Sequence, residues 1–181
     1  MTTATEVFEG TFEADAIHSS LEAGTTHMGV GSFRTRFDEL AASLVADESG
    51  VPLQGTAPVE SISIRNPPEF REHVVNGSDF FDVPKHPTIE FSSRELSLHP
   101  DGTLELIGQL TIKGISREIT ATGTYRPPTT DFYGSVRAAI DLSTTVDRRA
   151  FGIDWQQPLP GGGNALGWDV TLNAHLEFIK I

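Results

Sequence analysis

The 181-residue chain has no cysteine. That absence excludes disulfide frameworks, thiol catalysis, zinc ribbons and iron–sulfur ligation together. Positive charge is scarce as well: 13 Lys and Arg stand against 25 Asp and Glu, a formal net charge of −12. Such a balance opposes non-specific contact with nucleic acid or an anionic bilayer. Tyr and Trp number 2 each against 11 Phe, so the aromatic stock mostly lacks a polar tip. No apolar run approaches the roughly 18 residues of a membrane span, which predicts no stable membrane insertion. The stretch from Met1 to Gly10 has neither a basic region nor an apolar one, so no signal peptide is visible and a cytoplasmic protein is expected. Repeats, linkers and low-complexity tracts are lacking, and the length suits a single domain over 1–181.

What is present is period-2 alternation, the mark of half-buried strands. In the C-terminal run Val170, Leu172, Ala174, Leu176 and Phe178 share one face, and Thr171, Asn173, His175 and Glu177 the other. The pattern recurs at Leu104, Leu106, Gly108, Leu110 and Ile112, and at Ile119, Ala121, Gly123 and Tyr125. It recurs again from Phe132 through Gly134, Val136, Ala138 and Ile140 to Leu142. Shorter versions are Phe33/Thr35/Phe37 and Ile89/Phe91, with noisier strands around Ser20 to His27 and Ala57 to Ile64. Turn chemistry falls between them at His99-Pro100-Asp101-Gly102, Lys113-Gly114 and Ser49-Gly50, while Pro127-Pro128 is expected to break the chain. Pro158 to Gly163 reads as a mobile loop.

Only one segment looks helical, about residues 67–76, with Asn66 as its expected cap and Asn76-Gly77 as its end. One short helix cannot cover a wide sheet, so about eight one-sided strands must bury their apolar faces against each other. Wet outer faces and short connections indicate antiparallel pairing, in a sandwich or a closed barrel. The barrel is favoured because closure removes exposed edges.

Six blocks of sequence then carry a resemblance. They are Asp15-Ala16-Ile17-His18-Ser19 with His27-Met28-Gly29-Val30-Gly31 and Arg36-Phe37, Ser78-Asp79-Phe80-Phe81-Asp82, His86-Pro87-Thr88-Ile89-Glu90-Phe91, Gly108-Gln109-Leu110-Thr111-Ile112-Lys113-Gly114, Asp147-Arg148-Arg149-Ala150-Phe151-Gly152-Ile153, and the last strand from Asp169. In this order the chain resembles the YceI-like family of polyisoprenoid-binding proteins over nearly its whole length. The resemblance implies an all-β, eight-stranded, lipocalin-like antiparallel barrel with an elongated apolar pore. It also implies carriage, storage or sequestration of a long isoprenoid or similar lipid, and a homodimer. Ala23 and Gly24 stand where the family resemblance leads one to expect bulkier residues.

On this reading the lumen contacts are Phe33, Phe37, Ile89, Phe91, Leu106, Val136, Ile140, Leu172 and Leu176. Phe80, Phe81, Phe151, Trp155 and Arg148 would stand at a mouth. Arg148 and Arg149 have two readings, a hold on a polar lipid head or surface ion pairs, and the second is preferred. Periodicity alone does not separate an open lumen from a filled one. Small inward residues (Ala23, Gly108, Ala121, Gly123, Gly134, Ala138, Ala174) either leave volume free or relieve crowding.

No cofactor or metal is expected. The six histidines, His18, His27, His73, His86, His99 and His175, show no ligand spacing. No Gly-x-Ser-x-Gly is present, and Gly161-Gly162-Gly163 lacks the Lys-Ser/Thr of a phosphate loop. The chain is read as a binding protein, not an enzyme. Two alternatives stand beside that reading: a small enzyme using Asp79, Asp82 and a histidine on an amphiphile, or a packed barrel acting as a stress-response interaction module.

Overall fold

The computed structural model of the chain describes residues 4–46 and 50–181. Of the turn expected at Ser49-Gly50, Ser49 lies outside the described residues, as do Met1–Thr3. Ten strands form one antiparallel sheet: β1 (Thr11–Ala14), β2 (Ser20–His27), β3 (Gly31–Phe37), β4 (Ala41–Val45), β5 (Leu53–Pro58), β6 (Thr88–Leu98), β7 (Thr103–Ile112), β8 (Ile115–Thr130), β9 (Val136–Asp147) and β10 (Asp169–Lys180). They make an eight-strand barrel because two of its staves are broken. β10 pairs with β2 from Thr171 to His175 and with β1 from Phe178 to Lys180, so β1 and β2 are successive parts of one stave. β4 pairs with β1 and β3 with β2, which makes the second broken stave. The β1–β10 pairing closes the sheet on itself, as the one-sided strands require.

Local chemistry explains the breaks. Between β1 and β2 the Asp15 carboxylate accepts the Ile17 N–H at 3.0 Å, an Asx turn that takes the backbone out of the ladder. After β3, the Asp38 N–H donates to the Ser61 carbonyl instead of to a neighbouring strand. β7 alternates buried and less buried residues without interruption from Leu104 to Ile112. It turns into β8 through Lys113 (φ 53°) and Gly114 (φ 71°), the paired left-handed residues of a type I′ hairpin.

Four sequence expectations are corrected. Pro127-Pro128 does not end a strand: β8 runs on to Thr130, with a register shift against β9 between Arg126 and Thr129. The prolines are tolerated because β7 pairing stops at Thr124, leaving an edge that needs no donor. Phe132 does not face inward; it is 89% exposed on the β8–β9 turn, its ring against that of Tyr133. There the Asp131 carboxylate accepts the N–H groups of Tyr133 and Ser135, both at 2.9 Å, so β9 starts only at Val136. The strand expected over Ala57 to Ile64 is instead the end of β5 followed by a 3₁₀ turn at Val59–Ser61. Helix α2 spans Pro68–Asn76, preceded by Pro67 and without a side-chain cap, so Asn66 does not cap it.

A second helix, α1 (Ala4–Val7), was not anticipated. It delivers Phe8, fully buried, to the end of the barrel where Phe12, Leu44, Leu104, Ile140 and Phe178 pack. The opposite end is covered by α2 and the segment after it, with Val74, Val75, Phe80 and Val83 buried against Phe37, Ile89, Ile112 and Phe151. Among the described residues no helix is long and apolar enough to cross a membrane.

Candidate functional site

Between the two packed ends, cavities open in the lumen among the described residues, and two adjoining ones matter here. The first, about 130 Å³, lies mid-barrel and is lined by residues of both halves of the sheet, among them Leu40, Leu53, Phe91, Leu106, Leu110, Ile119, Leu142 and Leu176. The second, about 110 Å³, lies toward α2 and is lined by Phe33, Phe37, Phe80, Phe81, Val146, Phe151, Ile153, Leu166 and Arg148 among others. Ile89, Ile112 and Leu172 line both, so the two adjoin. Most lining side chains are hydrocarbon and the exposed wall is almost wholly apolar, a surface that accepts apolar matter.

The small inward residues divide between their two readings. Ala121 and Ala174 line the first cavity and Ala23 the second, so their missing bulk is open volume. Gly24 also lines the second, at the place where the family resemblance leads one to expect a larger residue. Gly108 and Gly123 line neither; a Cβ on Gly123 would collide with the Asp141 carbonyl, and one on Gly108 with the Ser92 carbonyl. Those glycines let strands approach closely. Ala138 belongs to the packed end, and Gly134 (φ 90°) sits in the β8–β9 turn.

Of the residues expected in the lumen, Phe33, Phe37, Ile89, Phe91, Leu106, Leu172 and Leu176 line a cavity. Val136 and Ile140 do not, because Phe8 and its neighbours fill that end. At the expected mouth, Phe80, Phe81, Phe151 and Arg148 line the second cavity, while Trp155 stands behind them, stacked on Phe80 at 5.6 Å between centroids. Leu21, Leu40, Ala42, Leu53 and Ala57 line the first cavity without having been singled out. Leu21, Ala42, Leu53 and Ala57 lie on β2, β4 and β5 and Leu40 just ahead of β4, where short, broken strands give too few alternations to read.

The cover at the α2 end is tied down by Lys113. Its Nζ donates to the Gly152 carbonyl at 2.7 Å and to the Ser78 carbonyl, joining the β7–β8 hairpin to both covering segments. Asp147 starts a 3₁₀ turn at Arg148–Phe151 by accepting the Arg149 N–H at 2.9 Å, and Gly152 (φ 69°) ends it. The preferred reading of both arginines as surface ion pairs holds for Arg149 alone, whose Nη2 lies 2.6 Å from Asp147. Arg148 is buried, its guanidinium among main-chain carbonyls, because the turn points it into the barrel end.

The carboxylates suspected of catalysis are engaged elsewhere. Asp79 pairs with His73 at 2.8 Å and Asp82 with Lys85 at 2.9 Å, which holds the Asp82 carboxyl below its usual range. Neither lines a cavity. Asp15, His18 and Glu177 offer three ligand atoms within 4.8 Å of one another. The Arg137 Nη1, however, stands 2.9 Å from Asp15 and 2.6 Å from Glu177, so a guanidinium already supplies the positive charge. His175 is half-exposed and lies 2.8 Å from Asp141.

Comparison with known proteins agrees with this architecture. A family model described as YceI-like domain matches residues 12–178. A UPF0312 protein of Staphylococcus aureus (strain USA300) is 31% identical over 172 residues, covering 92% of this chain and 96% of that one. Among solved structures, BcnA of Burkholderia cenocepacia superposes with a TM-score of 0.73 at 22% identity, over 91% of this chain and 98% of its own. A polyisoprenoid binding domain from Saccharophagus degradans, implicated in plant cell wall breakdown, gives a TM-score of 0.68 at 12% identity, over 94% and 98%. At these identities the two structures speak for the fold.

Proposed function

The chain belongs to the YceI-like family, and on that footing we propose that it binds a polyisoprenoid or similar long-chain amphiphilic lipid in the barrel lumen, for carriage, storage or sequestration. The observation that carries this reading is the pair of adjoining hydrocarbon-lined cavities meeting at Ile89, Ile112 and Leu172. Each buried CH₂ of a ligand contributes about 0.8 kcal/mol, so even a few isoprene units give useful affinity. The lumen contacts are Phe33, Phe37, Ile89, Phe91, Leu106, Leu172 and Leu176, with Phe80, Phe81 and Phe151 at the α2 end. Asp79 and Asp82 stand outside the cavities, which favours a binding protein over a catalyst. The whole chain acts as one domain, a reading supported by the single closed sheet. The family resemblance also favours a homodimer, which sedimentation of the purified chain would read.

Native mass spectrometry with lipid extraction of the purified protein tests the proposal. A co-purifying long-chain lipid, or uptake of an added polyprenol by delipidated protein, is the expected result. Failure to take up any long-chain isoprenoid or alkyl lipid at micromolar concentration would overturn it.

A further inference from the structure

The lumen has an end wall that comes from outside the barrel. Phe8 is fully buried, and its ring stands 6.0 Å from that of Phe12 and 6.3 Å from that of Tyr125, centroid to centroid. The segment carrying it is pinned on both sides: the Phe8 N–H donates to the Ala4 carbonyl at 2.9 Å, and the Gly10 carbonyl accepts the Ala46 N–H at 2.9 Å. Leu53, Leu106, Leu142 and Leu176 belong both to the cluster packed around Phe8 and to the lining of the first cavity, so the plug is the end wall of that cavity. Phe8 also precedes residues 12–178, the stretch that matches the family model, so its ring is supplied from outside the matched stretch.

The side chains around the plug have the chemistry of the lumen itself. Val136, Ala138 and Ile140 share the inward register of Leu142 on β9, and Phe178 shares that of Leu172, Ala174 and Leu176 on β10. With the Phe8 ring absent, the hydrocarbon lining would run on to the barrel end; with it present, the open length is set. Cavity-lining residues on β10 run from Val170 to Leu176. Six residue steps at about 3.4 Å, on a strand tilted by about 40°, span roughly 15 Å along the barrel axis. An extended carbon chain advances roughly 1.2 Å per bond, the figure for a polypeptide backbone with its three bonds per residue. The open length therefore takes about 12 bonds of chain, or about three isoprene units.

We infer that Phe8 is the length-determining residue of the lumen, which takes about three isoprene units, or an alkyl chain of that reach, end-on against the plug. The inference rests on the lumen reading above and narrows it. Carbons that lie along the hydrocarbon lining add affinity, whereas the further units of a longer lipid lie beyond the α2 end and add little. A chain cannot press on past Phe8, because a densely packed ring yields no space without strain.

The test is calorimetric titration of the delipidated full chain with geraniol, farnesol and geranylgeraniol, alcohols of two, three and four isoprene units with one common head. Affinity is expected to rise about tenfold or more from geraniol to farnesol, and to gain no more than about threefold from farnesol to geranylgeraniol. In Phe8→Ala, where the missing ring lengthens the lumen, geranylgeraniol is expected to gain about tenfold or more over farnesol. Phe8→Leu, a milder truncation, moves the ratio the same way by less. The readout is a ratio between two ligands of one protein, so a general loss of stability does not imitate it. If Phe8→Ala does not fold, Phe8→Leu and the wild-type series decide. A wild-type gain from farnesol to geranylgeraniol above about threefold overturns the length limit, and an unchanged ratio in the folded variants overturns the role of Phe8; both leave the lumen reading standing. Binding of none of the three alcohols to the wild type overturns the lumen reading itself.

Discussion

The Phe8 ring packs edge-on against the Phe12 ring, with centroids 6.0 Å apart and planes at 88°. Phe8 comes from the chain before the barrel and Phe12 from its first stave, so this pair closes one end of the lumen. The α2 end is closed differently, by segments tied through Lys113 and lined by a cavity that reaches Arg148. The barrel is therefore asymmetric: a packed plug at one end and a hollow under a cover at the other.

Removing the plug has a stability cost. Phe8→Ala deletes a fully buried ring and is expected to destabilise the protein by about 3–5 kcal/mol. Urea unfolding followed by circular dichroism measures it. A loss below about 1 kcal/mol would mean that the barrel end holds without the Phe8 ring.

Where the two cavities adjoin, Leu172 belongs to both. Leu172→Trp fills that neck and is expected to weaken binding of a long-chain lipid about tenfold or more, while the unfolding midpoint changes little. Titration of delipidated wild type and variant with the same polyprenol gives the ratio. Unchanged affinity would show that ligand does not pass Leu172.

Gly123 tests the other use of small residues. A Cβ there meets the Asp141 carbonyl across the β8–β9 ladder, so Gly123→Ala must push strands apart at a cost of about 1–3 kcal/mol. For a chain of this size each kcal/mol lowers the melting temperature by roughly 2–4 °C. An unaltered melting curve would contradict the close approach.

Acid sensitivity is predicted for the Arg137 cluster. His18 and Arg137 hold the Asp15 carboxyl well below the usual carboxylate range, and Arg137 does the same for Asp131. Folded-state pKa values that lie below the unfolded ones stabilise the fold fully above the ordinary carboxylate range. That stabilisation is lost as pH falls through the range toward the folded values. Arg137→Met is therefore expected to be less stable than wild type at neutral pH, with the gap narrowing below about pH 4. Unfolding free energies measured across acidic and neutral pH check the sign; a gap that widens in acid would contradict it.

Long uninterrupted staves were legible because one buried face forces a period of two. Leu104 to Ile112 on β7 and Val170 to Phe178 on β10 alternate in the sequence as they do in the sheet. Of the two broken staves only the β2 and β3 halves were legible, since β1 and β4 offer only four and five residues each. Phe132 misled because its register continues that of Val136 and Ala138, while Asp131 bends the backbone before the strand begins. Arg148 misled because a charged residue beside an aspartate reads as surface, and its carbonyl partners lie up to 19 residues away in the chain.

The sequence by itself determined the strand class, the inward and outward faces, the charge of the exterior and the family resemblance, since all of these rest on local pattern. Leu106 and Ile140 have the same inward signature, yet one lines a cavity and the other is sealed in the plug. Only the tertiary structure decided that, because occupied volume depends on which distant side chains arrive, here Phe8 from just after α1 at one end and none at mid-barrel. The same holds for Arg148: its burial follows from the meeting of three backbone segments, and that meeting has no period to read.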